Sequence, residues 1–160
     1  MTNKIQIDGE IFQDTIKILK DLISFQTESG KSNLELIDYC ELKLKNSGAS
    51  SLKTFNNSKT QANLFSTING ENPIGMGIVL SGHTDVVPAV HSEWTSNPYL
   101  LRQKDDKLYG RGTCDMKGFI ACTLAVAPLF ASSKLKRPIH FSYTFDEETG
   151  CLGAPLVLAD

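Results

Sequence analysis

The sequence of 160 residues is short of most features that announce a special environment. It contains no apolar run near the roughly 20 residues needed to cross a bilayer, and its opening "MTNKIQIDGE" lacks the apolar core of a secretion signal. No membrane association and a cytoplasmic location are therefore the expectation. No Lys/Arg cluster is dense enough for a nucleic-acid surface, since 16 basic side chains are set against 18 acidic ones for a net charge of -2. There is no CxxC pair: Cys40, Cys114, Cys122 and Cys151 are spaced as free thiols, and no disulfide is assigned. Repeats and low-complexity linkers are also missing. With 41% hydrophobic and 21% charged residues, what remains is an ordinary globular composition, long enough for one domain with its own core.

Periodicity organises that core. Phe12, Ile16, Leu19, Leu22 and Ile23 recur at spacings of three and four and predict an amphipathic helix from Glu10 to about Phe25. A second, less regular helix is predicted over Ser32 to Lys45, stopped by Asn46-Ser47-Gly48. Strands are predicted at Ser51 to Phe55, Ala62 to Ile68 and Gly77 to Ser81, where "GIVLSG" reads as buried on both faces after the turn "ENPIGMG". A hairpin turn is expected at Lys104 to Lys107. The small, apolar "DMKGFIACTLAVAPLF" predicts a buried helix, Pro138 to Phe145 a further strand, and Gly153 onward a helix with no stop signal. The alternation indicates an α/β fold with a mixed, largely parallel sheet flanked by helices.

In such sheets, functional groups gather where strands end. His83, Thr84 and Asp85 follow one predicted strand, Asp115 follows "KLYGRGTC", and Asp146, Glu147 and Glu148 follow another. His83 and Asp115 lie 32 residues apart and Asp115 and Glu148 a further 33, about one strand connection each, so they can meet at one sheet edge. His83 is a neutral nitrogen donor suited to zinc, Asp85 can orient its ring, and Asp115 has two oxygens with which to bridge a metal pair. Glu147 and Glu148 are expected to point apart on extended backbone and so to differ in role, one toward metal and one toward water. The ordinary alternatives are a solvated acidic turn for the triplet, a strand-end hydrogen-bond motif for His-Thr-Asp and a helix N-cap for Asp115. His91 and His140 read as structural or surface residues, and Cys114 as buried packing. The glycines of "GRGTCDMKG" have the spacing of neither a dinucleotide site nor a P-loop.

Together and in this order, "SGHTDVVP", "LYGRGTCDMKGF" and "FDEETGCLGAP" resemble the acetylornithine deacetylase and succinyl-diaminopimelate desuccinylase family of two-metal amidohydrolases. The resemblance implies a zinc-exopeptidase-like catalytic domain of which residues 1–160 are the N-terminal part, with the lid and dimerisation domain and the C-terminal part of the catalytic domain absent. It implies two zinc ions, with cobalt as an alternative: His83 as a ligand to one, Asp115 bridging both and Glu148 on the other. Glu147 is implied as general base, Asp85 as the partner that orients the His83 ring, and the Asp115–Met116 peptide as cis. The implied reaction is hydrolysis of the N-acetyl amide of N-acetylornithine, a step of arginine biosynthesis, by a protein that is a homodimer at full length. The alternatives within the family are other N-acyl amino acids or dipeptides, and outside it a non-catalytic metal-binding remnant. Further ligands are implied beyond residue 160, so weak or no activity is expected of the 160 residues alone.

Overall fold

The computed structural model describes residues 9–72 and 76–159. The opening residues 1–8 and the middle of the "ENPIGMG" turn lie outside them. Two helices lead, α1 (Gly9–Ser24) and α2 (Leu34–Asn46), followed by the strands β1 (Ser50–Phe55), β2 (Ala62–Ile68) and β3 (Ile78–His83). A short hairpin, β4 (Arg102–Lys104) and β5 (Lys107–Tyr109), precedes α3 (Lys117–Ser132), β6 (Ile139–Thr144) and α4 (Ala154–Ala159). The helix stop after α2 takes the expected form: Gly48 has φ of 79°, and the amides of Gly48 and Ala49 return to the carbonyls of Lys45 and Leu44 at 2.8 and 3.0 Å.

The main sheet has the order β1-β2-β6-β3. β1 and β2 pair antiparallel, as do β2 and β6, whereas β6 and β3 run parallel, Gly82 facing Tyr143 and His83 facing Thr144. The mixed α/β reading holds, but among the described strands only one pairing is parallel. The reason is topological: the β1–β2 connection is a tight turn, which can only reverse the chain.

Alternation along the strands sets the two faces. Phe141 and Tyr143 of β6 are fully buried with Leu64 of β2, beneath Leu36 and Ile37 of α2 and Ile120 and Leu124 of α3. α1 joins the same core through Leu22 and Ile23. Burying each such side chain contributes about 1.5–3 kcal/mol. The Tyr143 hydroxyl is satisfied by Thr123 Oγ1 at 2.7 Å. α3 buries one side only; Phe119, Cys122 and Pro128 are exposed, because the helix lies on the surface of the core rather than through it.

β3 is not buried on both faces as its composition implies: Ile78 and Val79 are 59% and 53% exposed. It stands at the edge of the sheet, with β6 on one side and no described strand on the other. Only its C-terminal end, Gly82 and His83, is buried. No helix among the described residues is long and apolar enough to cross a membrane.

Candidate metal centre

Because β3 and β6 are parallel neighbours, their C-terminal ends finish side by side, His83 beside Thr144. The backbone following β6 then turns sharply. Asp146 has φ of 51°, and the amides of Gly150 and Cys151 both donate to the Glu147 carbonyl at 3.0 Å. This is turn geometry rather than extended backbone, so the expected divergence of Glu147 and Glu148 does not occur. Each glutamate brings a carboxylate oxygen, and His83 a ring nitrogen, to within 4.8 Å of one another. Asp146 is the member of the triplet that leaves: buried, it accepts from the Gly30 amide at 2.7 Å and the Gln61 side chain at 2.8 Å.

Asp115 arrives from the turn before α3, not from a strand of the main sheet. Its carboxylate does not cap α3, whose N-cap position is Met116 and which has no side-chain cap hydrogen bond; Asp115 Oδ1 instead lies 3.0 Å from His83 Nε2. Glu147 Oε2 lies 3.7 Å from the same nitrogen. The Asp115–Met116 peptide is cis. Neighbouring Cys114 is exposed, contrary to the packing role read from sequence, because the turn that carries it runs over the surface. His140 stacks on Phe65 with its ring 5.3 Å away and bonds Thr67 at 2.8 Å, and His91 is exposed on a short turn; neither reaches the centre.

Asp85 holds the arrangement together. Its own carbonyl accepts from His83 Nδ1 at 2.9 Å, with its Oδ1 at 3.4 Å from the same atom. A carbonyl can only accept, so Nδ1 carries the proton and Nε2 is the atom left to face the carboxylates. Asp85 Oδ1 also accepts from the Glu147 amide at 3.0 Å, and Oδ2 from the Glu148 amide at 3.3 Å and the Ser29 hydroxyl at 2.7 Å. Burial opposes its charge, but these hydrogen bonds, led by His83 and Ser29, hold the Asp85 carboxyl below its ordinary value. The Asp85 carboxylate in turn, against burial and with help from Asp115, pushes the His83 imidazole up to about 9. Glu148 moves the opposite way to Asp85: burial first, then the charge of Asp115, raises its carboxyl.

Three carboxylates around one imidazole therefore repel one another, and a divalent cation is the charge that relieves such a cluster. One nitrogen and several oxygen donors form a set suited to zinc, so the residues fit a metal ion. From His83 and Glu147 a trough of about 700 Å³ runs past Ser81, Ser142 and Thr144 to Val157 and Leu158 of α4, large enough for a small substrate. Sequence reasoning missed Ser29 and Gln61, which lie in loops without local signature, and Lys117, read only as part of an apolar helix.

Residues 79–160, just over half of the chain, match Peptidase family M20/M25/M40. The chain is 46% identical over 95 residues to an acetylornithine deacetylase of Yersinia pseudotuberculosis, a match covering 58% of this chain and 24% of that protein. It is 47% identical over 78 residues to one of Salmonella paratyphi B, covering 49% and 20%. The matched part thus spans a quarter or less of the length of these curated relatives. Among solved structures, human carnosine dipeptidase 1 superposes with a TM-score of 0.75 at 23% identity, over 93% of this chain and 36% of the other. The M20 family metallo-carboxypeptidase Sso-CP2 from Sulfolobus solfataricus gives 0.72 at 23% identity, over 90% and 32%. At that level of identity the structures establish the fold. The family pattern begins within β3 and takes in His83, Asp85, Asp115, Glu147 and Glu148, and the chain belongs to Peptidase family M20/M25/M40.

Proposed function

We propose that this chain is the N-terminal, metal-bearing part of a catalytic domain that hydrolyses the acyl amide of an N-acyl amino acid, with N-acetylornithine as substrate and ornithine and acetate as products. The observation that carries this reading is the convergence of His83, Glu147 and Glu148 within 4.8 Å. The 46–47% identity to proteins named acetylornithine deacetylase supports the choice of substrate. In this reading His83, Asp115 and Glu148 would hold the metal, with zinc, or cobalt in its place, as the ion. A lid and dimerisation domain and the rest of the catalytic domain complete a cytoplasmic homodimer that serves arginine biosynthesis.

Metal held there would supply polarisation of the amide carbonyl and acidification of the attacking water. Glu147, the most exposed of the three donors and aimed at the trough, takes the proton of that water and returns it to the leaving amine. Asp85 keeps the His83 ring from rotating and fixes its Nδ1 proton. Thr84 anchors the intervening backbone, its amide and hydroxyl both donating to the Thr144 carbonyl at 2.8 and 2.9 Å.

The test is an assay of this sequence carried within a chain of its relatives' length, supplied with N-acetylornithine and, separately, N-succinyl-diaminopimelate. Faster release of ornithine is expected. Glu147→Ala is expected to keep its zinc content and to lose about 10²–10⁴-fold in turnover. Preference for the succinyl substrate would overturn the substrate assignment, and undiminished turnover in the variant would overturn the base assignment.

A further inference from the structure

The α1–α2 loop, far from the centre in sequence, touches both strand ends that build it. Its residues 27–29 lie along the segment that follows β3 as a short parallel bridge: the Val86 amide donates to the Thr27 carbonyl at 3.0 Å, and the Ser29 amide to the Val86 carbonyl at 3.1 Å. Two side chains lock that bridge, Thr27 Oγ1 donating to the Thr84 carbonyl at 2.6 Å and Asn33 Nδ2 to Thr84 Oγ1 at 2.9 Å. From this fixed position Ser29 Oγ donates to Asp85 Oδ2 at 2.7 Å, the shortest contact that carboxylate makes. The next residue, Gly30, donates its amide to Asp146 Oδ1 at 2.7 Å, immediately before the two glutamates. Gly30 has φ of 80°, with open space where a Cβ would stand, so it is backbone conformation rather than room that favours glycine there.

We propose that Ser29 is a positioning residue of the metal centre, acting through Asp85. The Asp85 carboxylate has only 2% of its residue surface exposed, so it cannot draw replacement hydrogen bonds freely from solvent. Without the Ser29 hydroxyl, Oδ2 retains only the Glu148 amide, at 3.3 Å. The carboxylate is then held less firmly about the axis that aligns Oδ1 with His83 Nδ1 and with the Glu147 amide. One hydroxyl thereby fixes the direction of a ligand imidazole and the spacing between that imidazole and the glutamate turn. Ser29 and Gly30 together act as a gauge set across the ends of β3 and β6; partners bonded directly to a ligand, as Asp85 is to His83, commonly account for about 10–100-fold in metal affinity, and Ser29 acts through that partner.

The inference rests on the metal-centre reading above, and the experiment separates the two. Zinc is titrated calorimetrically into this sequence carried within a chain of its relatives' length, and into the Ser29→Ala, Ser29→Thr and His83→Ala variants of that chain, with thermal unfolding followed in parallel. The expected result is a roughly tenfold or greater loss of zinc affinity in Ser29→Ala with little change in melting temperature, recovery in Ser29→Thr, which keeps the hydroxyl, and the largest loss in His83→Ala. Wild-type affinity in Ser29→Ala, or a loss that Ser29→Thr shares in full, would overturn the role of Ser29 while leaving the metal centre standing. A wild-type chain that takes no zinc, or a His83→Ala variant that takes it equally well, would overturn the metal centre and the positioning role with it.

Discussion

Lys117 has no exposed surface, and its ammonium donates to the carbonyls of Leu22 and Phe25 at 3.0 and 2.6 Å, two acceptors at the C-terminal end of α1. Helix C-terminal carbonyls lack intrahelical donors and carry partial negative charge, so a cation is the natural cap. Burial nevertheless outweighs the opposing influence of Cys40 and Asp85 and lowers the Lys117 value to about 7 from 10.5. A depressed lysine means that the unfolded chain holds the extra proton between those two values, so this group makes stability rise with pH across that window. His83, raised to about 9, acts with the opposite sign and is common to wild type and variant. Urea unfolding of wild type and Lys117→Met at about pH 7 and about pH 9 is expected to show the difference between them shifting in favour of wild type, by at most about 1.4 kcal/mol per pH unit; parallel pH profiles would exclude titration of Lys117. At this scale legibility was uneven. His83, Asp85, Asp115, Glu147 and Glu148 stand out because each follows a strand or turn signal in the sequence. Ser29 and Lys117 do not, because their partners are 56 and 95 residues away and nothing local marks the pairing.

Among the elements, the β4–β5 hairpin shows most directly what a local pattern specifies. Lys104 pairs with Lys107 across a two-residue loop in which Asp105 and Asp106 have φ of 52° and 57°. Both central residues left-handed is the type I′ turn, which suits the twist of the flanking strands; Asp tolerates the first position, but the second is best met by glycine. The double substitution Asp105→Asn with Asp106→Gly, which installs the dipeptide this turn favours, is expected to stabilise the chain by about 1 kcal/mol, read as a higher urea midpoint at unchanged m. A lower midpoint would mean that the aspartates contribute more than their backbone costs. Helix periods and the β2 boundaries were equally readable, since amphipathic spacing and turn residues are local. The exposure of β3 was not: an unbroken apolar run is the same whether a strand is covered or stands at an edge, and only the sheet order distinguishes the two.

For the molecule as a whole, that edge is the apolar strand surface offered to other copies among the described residues. Met76, Ile78 and Val79 are 82%, 59% and 53% exposed beside a strand side with no described partner, and a net charge of -2 offers little repulsion between copies. Turbidity of the 160-residue chain is expected to peak near its isoelectric point of about 5.9 and to fall in Val79→Lys, which places a charge on the edge; equal turbidity would locate the association elsewhere. The overall α/β class was legible from the alternation of periods, but the position of β6 between β2 and β3 was not, because that pairing joins segments distant in the chain. This order also governs when the centre can exist. β3 has no partner among the described strands until β6 has been made, and the loop beside Ser29 cannot reach Asp146 across an interval of 116 residues until nearly everything between them is in place. Contacts of such long range close late. On the ribosome, then, α2 and the β1–β2 hairpin it packs on can form while His83 still waits, and the ligand cluster is assembled only as the glutamate turn leaves the exit tunnel.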